Sequence, residues 1–270
     1  MTTTKRVLIV ASVAFVAVML YLWRHSDGRQ GKELSSAAAE PVTIHTFVRA
    51  ETDAAIKLIY DKFGLGVFGH NRMPTPIDQQ FVIRMNRDTL YSTAVLDLST
   101  PASVTLPEAD GRYMSLHVIN QDHYSYAVAE PGSYELTEDA VGSKYVYLIV
   151  RIFIDADEPK DIEAANALQD AITVEGGNDG ALDVPEWDMD QLLIARGALN
   201  TLAKVGVDTA RSFGTEEETD PIDHLVGAAA GWGGLPQRNA FYELRAPSDN
   251  DGTPHALTVK DVPVDAFWSV

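Results

Sequence analysis

NRDTLYSTAVLDLSTPASVTLPEADGRYMSLHVINQDHY, residues 86–124, is the stretch that decides the fold of this chain. Its apolar and polar side chains alternate over several short runs, which is the pattern of half-buried β-strands. Within residues 112–119, Tyr113, Ser115 and His117 point to one face, and apolar residues alternate with them on the other face. The stretch therefore predicts a sheet that carries a dense polar and aromatic set.

Further strands are predicted on both sides of this stretch. Residues 145–154, YVYLIVRIFI, are apolar on both faces, which indicates a central strand. Pro101, Pro107 and Asp110 lie in turn signals between short strands, and this spacing is typical of an antiparallel sandwich. The predicted strands are residues 81–85, 90–98, 104–106, 112–119, 124–129 and 145–154.

The hydrophobic period changes to that of helices outside this region. Helices are predicted over residues 46–63, 160–172 and 188–205, and another begins at Asp220, where a capping carboxylate precedes Pro221. The predicted buried side of that last helix consists of Ile222, Leu225, Val226 and Ala229. Strand signals resume in residues 240–245, 256–260 and 266–270.

The predicted fold class is therefore α+β. Residues 41–155 form an antiparallel β-sandwich-like domain, residues 156–234 form a helical segment, and residues 235–270 form the incomplete start of a second β domain.

The N-terminus predicts a membrane anchor. Lys5 and Arg6 precede an uncharged, mostly apolar run at residues 7–23, which as a helix would span about 26 Å. We expect residues 1–33 to be an anchor and tether, with the body in the periplasm or otherwise outside the cytoplasm. A cleaved signal peptide is the alternative, with Ala37–Ala39 as the small residues before cleavage.

Charge and composition exclude several classes of protein. The formal net charge is −18, and a nucleic-acid-binding protein needs a basic face instead. The chain has no cysteine, so disulfides, thiolate zinc sites and thiol nucleophiles are ruled out.

Basic and acidic residues at the start of the 86–124 stretch are candidate ligand contacts. Arg87 and Arg112, with Asp88 between them in the sequence, could grip a carboxylate or sulfate ligand. The alternative is a structural role, in which the arginines pair with Asp97 or Asp110.

The end of the same stretch carries candidate catalytic and metal-binding residues. His117, Asp122 and His123 have side chains that could hold a divalent metal such as zinc or iron, or act as an acid and a base. The alternative is a hydrogen-bonded strand histidine beside a turn aspartate. His70 is a further candidate imidazole.

Several long motifs resemble a known family. The chain is similar to bacterial exported proteins that pair domain of unknown function 1254 with domain of unknown function 1214. The resemblance implies β-sandwich domains with helices between them and an N-terminal export signal, and it implies that the second domain is truncated here. The motifs are RMNRDTLYS (84–92), GRYMSLHVINQDHY (111–124), NALQDAI (166–172), DPIDHLVGAAAGWGG (220–234) and LTVKDVPVDAFWSV (257–270).

The resulting hypothesis is a membrane-anchored extracytoplasmic protein that binds a small anionic or sugar-like ligand on a polar and aromatic sheet face. One alternative is a metal- or acid/base-assisted hydrolase. Another is a non-functional fragment, whose open sheet edge would allow oligomers to form. The predicted ligand-binding residues are Arg87, Asp88, Tyr91, Arg112, Tyr113 and Tyr124, and the predicted catalytic residues are His117, Asp122 and His123.

Overall fold

A computed structural model of the protein describes residues 39–76, 86–242, 249, 251–262 and 264–268. The predicted anchor at residues 7–23 and the predicted strand at residues 81–85 lie outside these ranges. No helix within them combines the length and the apolar character that crossing a bilayer requires.

The larger of two antiparallel sheets has five strands, in the order β1-β2-β7-β4-β5. The strand β7 lies at its centre, between β2 and β4, which confirms the position predicted from its apolar faces. The bounds are β1 Gly69–His70, β2 Thr89–Asp97, β4 Met114–Asn120, β5 Ser125–Val128 and β7 Tyr145–Phe153.

The smaller sheet covers one face of the larger sheet. Its order is β6-β3-β8, with β3 at Ala102–Leu106, β6 at Gly132–Leu136 and β8 at Thr173–Glu175. Side chains such as Val104 and Leu136 meet Leu116 and Leu148 of the large sheet in one buried core, so the sandwich is formed. The strands β1, β6 and β8 were not predicted, because their few residues carry too little of a repeating pattern.

Helices cover the other face of the large sheet. The helix α1 (Phe47–Phe63) places Ile56 and Ile59 against Val95, Tyr147 and Ile149. The remaining helices are α2 (Glu138–Val141), α3 (Pro159–Asp170), α4 (Met189–Ala203) and α5 (Pro221–Gly231), with 3-10 turns at Thr209–Arg211 and Glu216–Glu218. Helices and antiparallel strands together confirm the α+β class.

A buried ion pair joins α1 to α4. The Arg196 guanidinium donates from Nε and Nη2 to the two carboxylate oxygens of Glu51, at 2.9 and 2.6 Å. Both side chains are only 7% exposed. Such a fork fixes the two helices relative to each other, because a buried charge without its counter-charge is costly.

The start of α5 was predicted correctly, and so was its buried side at Leu225, Val226 and Ala229. The Asp220 carboxylate accepts hydrogen bonds from the backbone N–H groups of Ile222 and Asp223, as an N-cap does. However, the Ile222 side chain is 68% exposed, while His224 is buried. Periodicity alone placed Ile222 inside, whereas the helix turns its histidine toward the sheet.

Strands predicted after α5 are absent from the part of that region that the structure describes. Residues 251–262 have no strand conformation and are almost entirely exposed. A strand must pair its backbone groups with a neighbour, and no described residue forms a ladder with this segment. The division into domains stays a prediction.

Candidate functional site

The candidate site lies on the face of the large sheet that the helices cover. In the central rows of that face, Tyr91 of β2 and Ser115 of β4 flank Arg151 of β7. One row further along, His117 lies opposite Ile149. We call the patch formed by Tyr91, Ser115, His117 and Arg151 the Arg151 face.

Arg151 is a half-buried cation in the middle of an apolar strand. Its Nη1 lies 3.3 Å from Nδ1 of His117, and its Nη2 donates to the carbonyl oxygen of Gly233 at 3.1 Å. The guanidinium lies 5.5 Å from the centre of the Tyr91 ring. Within the described ranges no carboxylate forms an ion pair with Arg151.

The contact with Arg151 determines which ring nitrogen of His117 carries the proton. A guanidinium can only donate, so Nδ1 of His117 accepts and the ring proton sits on Nε2. This Nε2 is buried and has no hydrogen-bond partner in the described protein. Burial, the Arg151 charge and His123 together lower the pKa of His117 well below its ordinary value, so the ring is neutral.

His123 also accepts through one ring nitrogen and keeps its proton on the other. The backbone N–H of Gly233 donates to Nε2 of His123 at 2.9 Å, so the ring proton sits on Nδ1, which is buried and has no partner within the described ranges. Burial, aided by the nearby His224, lowers the pKa of His123 to about 3. The residue has a φ of 65°, a region that non-glycine residues rarely adopt and that concentrates at functional sites.

Gly233 connects Arg151 to His123 through its own peptide groups. Its carbonyl binds Arg151 and its N–H binds His123, so one residue holds both sides of the site. Its φ is 77°, which favours glycine. The preceding Trp232 donates to the Thr52 hydroxyl at 3.2 Å and meets the Tyr147 ring edge-on at 4.9 Å, which seats the turn on the sheet.

Unpartnered polar atoms concentrate at this place. Buried polar groups in proteins are normally hydrogen-bonded, so each exception requires an explanation. Of the five such side-chain atoms found in the described ranges, four lie on this face of the sheet or against it. They are Thr89 Oγ1, Ser115 Oγ, His117 Nε2 and His123 Nδ1.

The arginines predicted from the sequence lie elsewhere. Arg112 makes a two-pronged ion pair with Asp161 of α3, at 2.8 and 2.5 Å, and donates to the carbonyl oxygen of Phe153. It therefore has the structural role that the alternative anticipated, although with a different partner. Arg87 is exposed, and neither it nor Asp88 has an ion pair within the described ranges.

The predicted triad of His117, Asp122 and His123 is not hydrogen-bonded together. The Asp122 carboxylate accepts from Nε and Nη2 of Arg49, at 2.8 and 2.5 Å, and neither histidine bonds to it. No group of three or more histidine or acidic side chains in the described ranges is arranged to hold a metal.

His224 lies next to the turn at residues 121–123, and it was not predicted as a site residue from the sequence. Its Nδ1 faces the carbonyl oxygen of Ser212 at 3.1 Å, and its Nε2 faces that of Asp122 at 2.9 Å. The Tyr124 ring stacks on the His224 ring at 4.6 Å, which gives Tyr124 a contact away from the Arg151 face.

Two further tyrosines border the Arg151 face. Tyr113 meets the ring of Phe267 at 5.3 Å. Tyr242 is 41% exposed as a residue, and its hydroxyl accepts from the N–H of Leu235 at 3.1 Å. Burial of that end raises the pKa of Tyr242, while the charge of the nearby Arg151 acts in the opposite direction.

The sequence did contain a signal for Arg151. A single arginine in a run of nine apolar or aromatic neighbours is unusual, because arginine is rarely buried unless it is paired. The apolar residues of this run predict only a central strand, and Arg151 was not among the predicted site residues.

The fold and the site together define an α+β protein with a basic, hydrogen-bond-donating patch on its central strands. Residues 65–176 match the family model described as protein of unknown function (DUF1254). The match includes every residue of the Arg151 face. The pairing with domain of unknown function 1214 stays a prediction.

A solved structure shares the fold. The crystal structure of the VPA0106 protein from Vibrio parahaemolyticus is similar to this chain with a TM-score of 0.51 and 17% identity. The alignment covers 71% of this chain and 67% of that one. At this identity the likeness concerns the fold alone. The comparison with curated proteins gives no match.

Proposed function

We propose that the protein binds a small anionic ligand, such as a carboxylate, on the Arg151 face. The observation that carries this proposal is Arg151 itself, which is a half-buried cation with no carboxylate partner in the described ranges. A guanidinium fork matches a carboxylate better than any other side chain does.

The surrounding atoms favour the same class of ligand. His117 presents a neutral N–H at Nε2, and Ser115 presents a hydroxyl; both are buried and have no partner among the residues that the structure describes. Hydrogen-bond donors beside a cation fit a ligand that is rich in acceptors. A binding role agrees with a site that has few convergent polar groups in a largely apolar surface.

The proposal can be tested with sodium propionate as the probe and the full chain as the protein. Calorimetric titration is expected to show binding by the wild type and a loss of about 30-fold or more in Arg151→Gln, because truncating a buried charged contact costs about 2 kcal/mol or more. Arg151→Lys should fall between the two, since it keeps the charge and loses the fork.

A matched control removes a different positive charge. Arg211 forms an exposed pair with Asp220 at 3.3 Å, and Arg211→Gln should bind propionate as the wild type does. Equal binding by Arg151→Gln and the wild type, with both proteins folded, would contradict the proposal. So would the absence of binding by the wild type.

We also propose that residues 7–23 anchor the protein in the inner membrane, with its body outside the cytoplasm. The apolar run and its basic flanks support this location. The full chain should stay in the membrane fraction after an alkaline carbonate wash. A chain that lacks residues 1–33 should be released, and retention of that shortened chain would argue against the anchor.

A further inference from the structure

An aromatic slot lies beside the Arg151 face and is filled by a residue from the end of the chain. The Phe267 ring packs against Phe153 at a centroid distance of 4.9 Å and against Tyr113 at 5.3 Å. Phe153 pairs with Thr89 across the sheet, and the Thr89 hydroxyl is one of the unpartnered buried atoms. The slot therefore belongs to the same sheet face as Arg151.

Phe267 and Val262 are the two residues described between 251 and 268 that are not exposed. Residues 251–261 are all exposed, and so are Val264, Asp265, Ala266 and Trp268. A segment whose described residues bury so little apolar surface costs little to detach, because few apolar contacts are lost. The slot can therefore exchange this ring for another aromatic group.

The slot and the guanidinium are separated by a short distance along one strand. Phe153 and Arg151 are two residues apart on β7, so their Cα atoms are about 6.7 Å apart and their side chains share a face. One small molecule can therefore place an aromatic ring in the slot and a carboxylate against Arg151 when a short aliphatic spacer joins the two groups.

We infer that the ligand of the Arg151 face is an aryl-alkyl carboxylate, and that Phe267 occupies the site of its ring until the ligand displaces it. This inference rests on the proposed function, because it specifies the ligand of the same site. A tethered ring competes at the high effective concentration that its linker imposes. The apparent affinity of the ligand then equals its intrinsic affinity multiplied by the fraction of molecules in which Phe267 has left the slot.

The test compares three probes with the full chain by calorimetric titration. The probes are 3-phenylpropionate, propionate, which lacks the ring, and 3-phenylpropanol, which lacks the charge. The wild type should bind 3-phenylpropionate at least tenfold more tightly than either of the others. In Phe267→Ala the affinity for 3-phenylpropionate should rise at least threefold, and that for propionate should stay within twofold.

Trp268→Ala is the matched control, because Trp268 adjoins Phe267 and is 54% exposed. It should bind all three probes as the wild type does. Melting temperatures without ligand verify that both variants are folded.

The outcomes separate this inference from the proposed function. If propionate binds through Arg151 but 3-phenylpropionate binds no more tightly, or if Phe267→Ala has no effect, the inference is overturned and the anion site stands. If no carboxylate binds, or if binding survives in Arg151→Gln, the proposed function fails and the inference fails with it.

Discussion

His117 and His123 are two buried imidazoles that the fold keeps neutral. Each uses one nitrogen as an acceptor, toward Arg151 and Gly233 respectively, and each retains one N–H without a partner in the described protein. Their lowered pKa values follow mainly from burial, which disfavours the charged ring. The residues thus supply donors to the site without adding charge.

These shifts predict a loss of stability in mild acid. As the pH falls below about 6.5, the two histidines bind protons in the unfolded chain but not in the folded protein. The stabilisation is therefore complete above pH 6.5 and is lost as the pH falls toward 3, the folded value for His123. Between pH 7.5 and 5.0, His123 should reduce the free energy of unfolding by about 2 kcal/mol, and His117 acts in the same direction.

Urea unfolding of the wild type and His123→Asn at these two pH values measures the effect. Asparagine tolerates the positive φ of this position. Asp53, whose carboxyl pKa burial raises, acts in the opposite direction but is common to both proteins. The variant should therefore lose about 2 kcal/mol less than the wild type on acidification. An identical loss in both proteins would show that His123 is not buried as a neutral ring.

At the scale of elements, the Arg112–Asp161 pair ties α3 to the edge of the sandwich. The bond to Arg112 lowers the pKa of Asp161 to about 2. Arg112→Ala should lower the free energy of unfolding by about 2 kcal/mol, because a hydrogen-bonded charge pair is lost and its carboxylate remains. Arg211→Ala, which removes an exposed pair, should cost under about 1 kcal/mol. Equal costs in urea would contradict the role of Arg112.

Removing one residue of the Glu51–Arg196 pair between α1 and α4 is expected to destabilise the fold more than replacing both. Glu51→Ala leaves the buried Arg196 guanidinium without this carboxylate and should cost about 3–5 kcal/mol. The double change Glu51→Leu with Arg196→Met should recover most of that loss, since apolar side chains of similar size suit the site. A double variant as unstable as the single one in urea would show that the pair itself stabilises the fold.

At the scale of the whole molecule, the site joins parts that are far apart in the chain. Arg151 and Gly233 are 82 positions apart, and His123 and Gly233 are 110 apart. Gly233→Ala should therefore weaken propionate binding as well as cost about 1 kcal/mol of stability, because a Cβ strains its positive φ. Gly180→Ala is the matched control, since Gly180 has the same φ of 77° and no neighbours near a Cβ. Equal binding by both variants would contradict the role of Gly233.

The sequence by itself determined the elements whose signals are local. Alternation predicted β2 and β4, and a continuous apolar run predicted β7. The helical period predicted α1, and the cap at Asp220 predicted the start of α5. The apolar faces of β7 also predicted its central place. Tyr113, Ser115 and His117 were placed on one face because they alternate within one predicted strand.

Only the tertiary structure decided which side chains meet. It paired Arg112 with Asp161 and Asp122 with Arg49, left Ile222 in solvent, and made Arg151 the centre of the site. The physical reason is that periodicity reports which side of an element is apolar, whereas contacts between distant segments depend on how the elements pack. The contacts of Arg151 with His117 and Gly233 cannot be read from its position in an apolar strand, because they depend on how distant segments pack.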